Sequence, residues 1–176
     1  HKLYAPKGIG ALYVRDGIEL VKFLDGGHQE KDKRAGTENV AQMVALGRAC
    51  KIAEENIDKY ILKLSNLRDY FFKQVMKSFP NCHINGSLEH RLPGNCNICF
   101  ENVDSGELLL KLDAFGICAS GGSACSSGDN NPSHVLSAIG VTPELARGAL
   151  RITFGDFNTK EEVDFLISTL QKILNN

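Results

Sequence analysis

In AEENIDKYILKLSNLRDYFFKQVMKSFPN, residues 53–81, apolar side chains fall at Ala53, Ile57, Ile61, Leu64, Leu67, Phe71, Val75 and Phe79, each three or four positions after the last. That period lines them up on one stripe of a long α-helix. The helix is expected to begin near Val40, with a break around Gly47 or Asn56, and to end at Pro80-Asn81. Beyond Pro80 the period changes. His83-Ile84, Cys96–Phe100, Ile117–Ala119 and Leu150–Phe154 read as strands, and the helices between them carry their own start and stop signals. Ser105 can cap Gly106–Phe115 ahead of Gly116, Ser133 can cap His134–Ile139 ahead of Gly140, and Thr142-Pro143 opens a short turn. Thr159-Lys160-Glu161-Glu162 is a capping box before the stripe Val163, Leu166, Ile167, Leu170 and Leu174. The expected fold class is α/β, with an α+β small domain in which a long linking helix leads to a small mixed sheet covered by helices.

The chain has 176 residues, 43% of them hydrophobic, enough for one sizeable core. Its 20 Lys and Arg nearly balance 21 Asp and Glu, so electrostatics give nucleic acid no special claim. No apolar run approaches the roughly 20 residues of a membrane span, and no signal-peptide pattern is seen. A cytoplasmic protein acting on a small molecule or another protein is the expectation. Cysteines at 50, 82, 96, 99, 118 and 125 are spaced too irregularly for a disulfide framework. Cys96-x-x-Cys99, with Cys82 and His83 upstream, could suggest zinc. The pair lies in a strand pattern without a turn glycine, where positions three apart face opposite ways, so no metal set is assigned. Cys50, Cys82, Cys96, Cys99 and Cys118 are read as small packing residues.

Four features carry possible chemistry. Ala119-Ser120-Gly121-Gly122-Ser123-Ala124-Cys125-Ser126-Ser127-Gly128 sets one thiol among small residues that cannot fill a core. Such a loop can bring a nucleophile to a substrate, although on its own it reads better as a linker. Lys2 can form a Schiff base with an aldehyde while His1 bonds a phosphate, although an exposed loop pair is the commoner meaning of this dipeptide. Arg151 alternates with the apolar Leu150, Ile152 and Phe154 and so faces away from the core, where its fork suits a carboxylate or an ordinary surface acid. Gly26-Gly27, Arg34 and Gly36-Thr37 combine amides, a guanidinium and a hydroxyl in a set suited to phosphate. The chain opens inside a motif with no methionine, and is expected to be the C-terminal part of a longer protein.

Five motifs occur in the order and spacing of one family: His1-Lys2 through Val14-Arg15, Gly26-Gly27-His28 through Glu38-Asn39, Ser123-Ala124-Cys125-Ser126-Ser127, Ser133-His134-Val135-Leu136, and Arg151-Ile152-Thr153-Phe154-Gly155. The chain closely resembles a cysteine desulfurase of the nitrogen-fixation and iron–sulfur-assembly branch of the class V aminotransferase-like enzymes, essentially from end to end. The resemblance implies the C-terminal part of a pyridoxal-phosphate-dependent transferase of fold type I. Residues 1–55 would be the remnant of the large cofactor domain, and 56–176 the small domain with the catalytic loop.

It also implies that Lys2 bonds pyridoxal 5'-phosphate, that His1 contacts its phosphate, and that Thr37 reaches the phosphate of the partner subunit in a homodimer. Arg151 would hold the carboxylate of L-cysteine, while Cys125 takes its sulfur as a persulfide, leaves L-alanine, and passes the sulfur to an acceptor such as an iron–sulfur scaffold. Ala5 and Asp32 stand where the family usually has glycine. The resemblance places the residues that stack on the pyridine ring before His1, so this chain alone is expected to bind little cofactor and to be inactive. Two other readings stay open: a selenocysteine lyase or related class V aminotransferase, and a non-catalytic domain that docks a sulfur acceptor.

Overall fold

A computed structural model describes residues 1–122 and 133–175. The chain divides into two compact units, His1–Ile57 and Asp58–Asn176. Helix α1, Val40–Ser78, runs from the first into the second for 39 residues without the expected break. Asn56 lies within it, its side-chain amide donating to the Ile52 carbonyl four residues earlier at 2.8 Å. The stripe read from the sequence is buried only towards its end. Leu67, Phe71, Val75 and Phe79 are in the core, whereas Ile57 and Ile61 are largely exposed.

In the second unit three strands, β1 (Cys82–Ile84), β2 (Asn95–Phe100) and β3 (Ala149–Thr153), form a sheet in the order β1-β2-β3. One face carries Cys96, Ile98, Phe100, Leu150 and Ile152, and with Phe154 it packs under the second half of α1, under α2 (Ser105–Ala114) and under α5 (Lys160–Leu174). Phe71 meets Phe154 edge-on at 6.0 Å between ring centres, and Phe79 meets Phe100 at 5.3 Å. From α5 the core takes Val163, Leu166, Ile167 and Leu170, with Leu174 half-buried at its margin. On the other face Cys99 and Ala149 are covered by Leu136 of α3 (His134–Ala138) and Ala146 of α4 (Pro143–Ala146).

Several local expectations need correction. The fourth strand, Ile117–Ala119, does not form: the Ile117 N–H donates to the Leu112 carbonyl at 3.0 Å, closing α2 after Gly116 turns left-handed at φ 75°. That segment touches the sheet only at a bridge between Ser120 and Arg151. With that strand withdrawn, every described pairing is antiparallel, and the sheet is not mixed. The cap of α2 is Asp104, whose carboxylate accepts from the Glu107 N–H at 2.9 Å. Ser105 is instead the first helical residue, its N–H bonded to the Arg147 carbonyl at 2.8 Å. Ser133 sits at the start of α3 without a side-chain cap bond. Thr142 and Thr159 cap as the sequence indicates, the latter in a full capping box with Glu162.

The first unit contains no strand among its described residues, and its Leu12 and Tyr13 are exposed. Its buried apolar residues are Ala5, Ala35 and Ala49, while Val21 and Phe23 are more than nine-tenths exposed. No described helix is long and apolar enough to cross a membrane.

Gly148 joins α4 to β3 directly beneath the Phe100 backbone, and a methyl there would run into the Phe100 carbonyl oxygen. The Phe100 N–H donates to the Gly148 carbonyl at 3.0 Å, so neither strand can draw back without losing a ladder bond. Gly148→Ala is expected to destabilise the chain by about 3 kcal/mol, seen as a lower denaturant midpoint with an unchanged slope.

Candidate active site

The second sheet face changes character along its length. At one end Cys99 and Ala149 are plugged by α3 and α4; two residues along, the cross-strand pair is Asn97 and Arg151. The Arg151 backbone bonds Ser120 in both directions, its N–H to the Ser120 carbonyl at 2.6 Å and its carbonyl from the Ser120 N–H at 3.3 Å. The backbone is therefore fixed on both sides and the side chain stands off the polar face. Its Nε is buried and has no hydrogen-bond partner among the described residues. A buried guanidinium nitrogen left unpaired is costly, and a carboxylate is the group whose geometry it fits.

Arg151 lines a concavity of about 1600 Å³ together with Asn85, Arg91, Asn97, Ser120 and His134. Arg147 lies on the same wall, and the carboxylate in the described lining, Asp104, is already engaged in capping α2. The hollow is thus suited to an anion. Burial lowers the pKa of the Arg91 guanidinium from its ordinary value, partly offset by Cys96, and nearby Arg68 lowers it further.

A polar cluster beside Arg151 went unread in the sequence. Asn85 is buried; its side-chain amide donates to Asn97 Oδ1 at 2.6 Å and to Cys99 Sγ at 3.1 Å, and its N–H donates to the Asn97 carbonyl at 2.9 Å. The Arg91 guanidinium donates to the Asn85 carbonyl and lies 5.1 Å over the Phe72 ring. The available signal was Asn85-Gly86 directly after a strand, a turn in which Gly86 takes φ 78°.

The first unit holds His1, Lys2 and Thr37, all exposed. The Tyr4 N–H donates to the His1 carbonyl at 3.0 Å, closing a tight turn around Lys2 with Tyr4 itself at φ 61°. An amine, an imidazole and a hydroxyl on exposed turns suit a phosphorylated aldehyde. The wider phosphate set read from the sequence is partly spent, because the Gly36 N–H donates to Gln29 Oε1 at 3.1 Å and Arg34 to the Ala35 carbonyl at 2.7 Å. Asp32 takes φ 66°, a left-handed conformation that suits the family's usual glycine. Lys22 and His28 hold its carboxylate at 2.9 and 3.1 Å, and those two bonds, Lys22's first, lower its pKa. Ala5, the other departure, is buried.

The family description Aminotransferase class-V matches residues 1–166. The chain belongs to this family. It is 47% identical over 174 residues to "Cysteine desulfurase IscS" of Dictyoglomus turgidum, covering 99% of this chain and 44% of that relative. To "Cysteine desulfurase" of Nostoc sp. it is 42% identical over 174 residues, with the same shares covered. Among solved structures, one described as "NIFS-LIKE PROTEIN" superposes with a TM-score of 0.89 at 34% identity, covering 99% of this chain and 44% of that one. The chain thus spans 44% of the length of these relatives.

Within this class V chain, Cys125 lies outside the described residues. The other cysteines divide into two groups. Cys82, Cys96 and Cys99 are buried, with Cys96 in the main core and Cys99 in the cluster on the opposite sheet face, so the Cys-x-x-Cys pair does not converge. Cys50 and Cys118 are exposed, which corrects the reading of all five as packing residues. Burial pushes Cys82 up to about 12, helped by Cys99, and pushes Cys96 up to about 12 against the opposing pull of Arg91. Burial raises Cys99 as well, moderated by its bond from Asn85.

Alkylation of the native chain near pH 8 should therefore modify Cys50 and Cys118 and spare Cys82, Cys96 and Cys99. Because the folded-state value of Cys96 lies above the unfolded one near 9.0, its contribution is complete below pH 9.0 and is lost as pH rises towards about 12. The destabilisation caused by Cys96→Ala should accordingly shrink over that window, as read from denaturant midpoints.

Proposed function

We propose that the protein containing this chain is a pyridoxal-phosphate-dependent cysteine desulfurase acting on L-cysteine. The observation that carries the reading is the buried Nε of Arg151, unpartnered among the described residues, on a cationic sheet face, which suits the carboxylate of an amino acid. The relatives named cysteine desulfurase support cysteine as that amino acid. Lys2 would anchor the cofactor, His1 would contact its phosphate, and Thr37 would reach the phosphate held by the partner subunit of a homodimer. Bound there, pyridoxal phosphate supplies an electron sink for the substrate carbon atoms.

Arg151 orients the substrate by its carboxylate. The Cys125 thiolate forms a bond to the substrate sulfur as the carbon–sulfur bond breaks; the electron pair left on carbon takes up a proton, giving L-alanine and a persulfide on Cys125. That sulfur passes to an acceptor such as an iron–sulfur scaffold. The exposed Tyr13, Val21 and Phe23 of the first unit are consistent with a surface covered by further protein. The core thiols Cys82, Cys96 and Cys99 suit a reducing, cytoplasmic setting.

In the full-length holoprotein, Cys125→Ala should abolish sulfide release from L-cysteine while leaving the cofactor absorbance in place. Arg151→Ala should raise the KM for L-cysteine by roughly a hundredfold, the loss of a charge-assisted pair. Sulfide release at the wild-type rate by the Cys125 variant would remove that residue from the mechanism.

A further inference from the structure

The cluster of Asn85, Asn97 and Arg151 has a geometry that the assignment of Arg151 alone does not use. Arg151 and Asn97 are direct cross-strand partners in the β2–β3 ladder. The Arg151 backbone groups bond Ser120 on one side, while the Asn97 carbonyl bonds Asn85 on the other. Their pairing is therefore of the non-hydrogen-bonded kind, which brings side chains on one face closest, with Cβ atoms about 4.5–5.5 Å apart. Both side chains line the concavity.

The Asn97 carboxamide is held in one orientation. Its Oδ1 accepts from Asn85 at 2.6 Å. Asn85 in turn is fixed by its second side-chain bond to Cys99, by its backbone bond to Asn97 and by the Arg91 guanidinium on its carbonyl. With Oδ1 committed, the amide nitrogen is the polar group left to Asn97, a cavity-lining residue, beside a guanidinium whose Nε lacks an acceptor among the described residues. Two donors side by side, with no carboxylate in the pair, form a fork for an anion with two oxygens.

We propose that Asn97 is the second donor of the carboxylate subsite, that it binds one oxygen of the amino-acid substrate while Arg151 binds the other, and that Asn85 is the positioning residue that holds its amide in that orientation. The inference deepens the proposed function and rests on it for the identity of the substrate. The carboxylate it recognises is common to L-cysteine and L-alanine, and cysteamine lacks it. Asn97→Asp is the informative substitution: it keeps the size of the side chain and the oxygen that accepts from Asn85, and replaces only the donating nitrogen by an anionic oxygen.

The test is calorimetric titration of the full-length holoprotein with L-alanine and with cysteamine, alongside the KM for L-cysteine, for wild type, Asn97→Ala, Asn97→Asp and Asn85→Ala, each with its melting temperature. Loss of the Asn97 donor should weaken L-alanine and raise the KM for L-cysteine roughly tenfold or more, with Asn97→Asp the more affected, and leave cysteamine unchanged. Asn85→Ala should show the same selective loss to a smaller degree. Unchanged L-alanine affinity in both Asn97 variants overturns the inference, as does an equal loss for L-alanine and cysteamine, which would mark a purely structural role. If the wild type binds L-alanine but releases no sulfide from L-cysteine, the desulfurase reading fails, and the L-alanine titrations still decide the role of Asn97.

Discussion

The register between β2 and β3 is the constraint on which the rest of the second unit depends. Side chains alternate strictly along a strand, so pairing Cys96 with Ile152 and Ile98 with Leu150 sends those four into the core and leaves Asn97 opposite Arg151 on the other face. A slip of one residue would drive the guanidinium under α1 and expose the isoleucines. Two close approaches hold the register. Gly148 lies under Phe100 at one end, and at the other Gly94 takes the Phe154 N–H at 2.9 Å, where a methyl would strike the Phe154 carbonyl. The core and the polar face that carries Arg151 are therefore two sides of one pairing, and a change that loosens the first also misplaces the second.

Among the described residues, the apolar roof of the polar face is confined to one end. Leu136 and Ala146 seal Cys99 and Ala149, and the apolar cover stops there. Beyond that point the pairs are polar, and their hydrogen bonds run sideways, from Asn85 to Asn97 and from Ser120 to Arg151. The bonds that brace the site thus come from segments flanking β2 and β3, the turn after β1 and the strand-like bridge at Ser120. A binding face needs a rigid floor, and these lateral bonds supply one.

Much of this was legible because the signals were local. The stripe from Leu67 to Phe79, the capping box at Thr159 and the alternation around Arg151 each depend on residues a few positions apart, and each appears as read. What the sequence misled on depended on contacts between distant segments. Ile117–Ala119 has a strand-like composition, yet its first N–H is claimed by the end of α2. Gly47 and Asn56 carry the signature of a break, yet α1 runs through both. Cys118 resembles a packing residue until the missing strand leaves it exposed. Asn85 and Asn97 looked unremarkable, since their meaning comes from a register that places one beside the other and both near Arg151.

The proposed chemistry rests on the family motifs around Lys2, Cys125 and Arg151, and at Arg151 it is supported by a guanidinium nitrogen buried without an acceptor among the described residues. The account as a whole turns on where sulfur goes after it leaves the substrate. The most direct measurement is to expose the full-length holoprotein briefly to L-cysteine, trap its thiols, and locate the added sulfur by peptide mass spectrometry. The account predicts one extra sulfur atom on the peptide containing Cys125, with Cys82, Cys96 and Cys99 unmodified. Sulfide release with the extra sulfur on another cysteine, or on none, would contradict it.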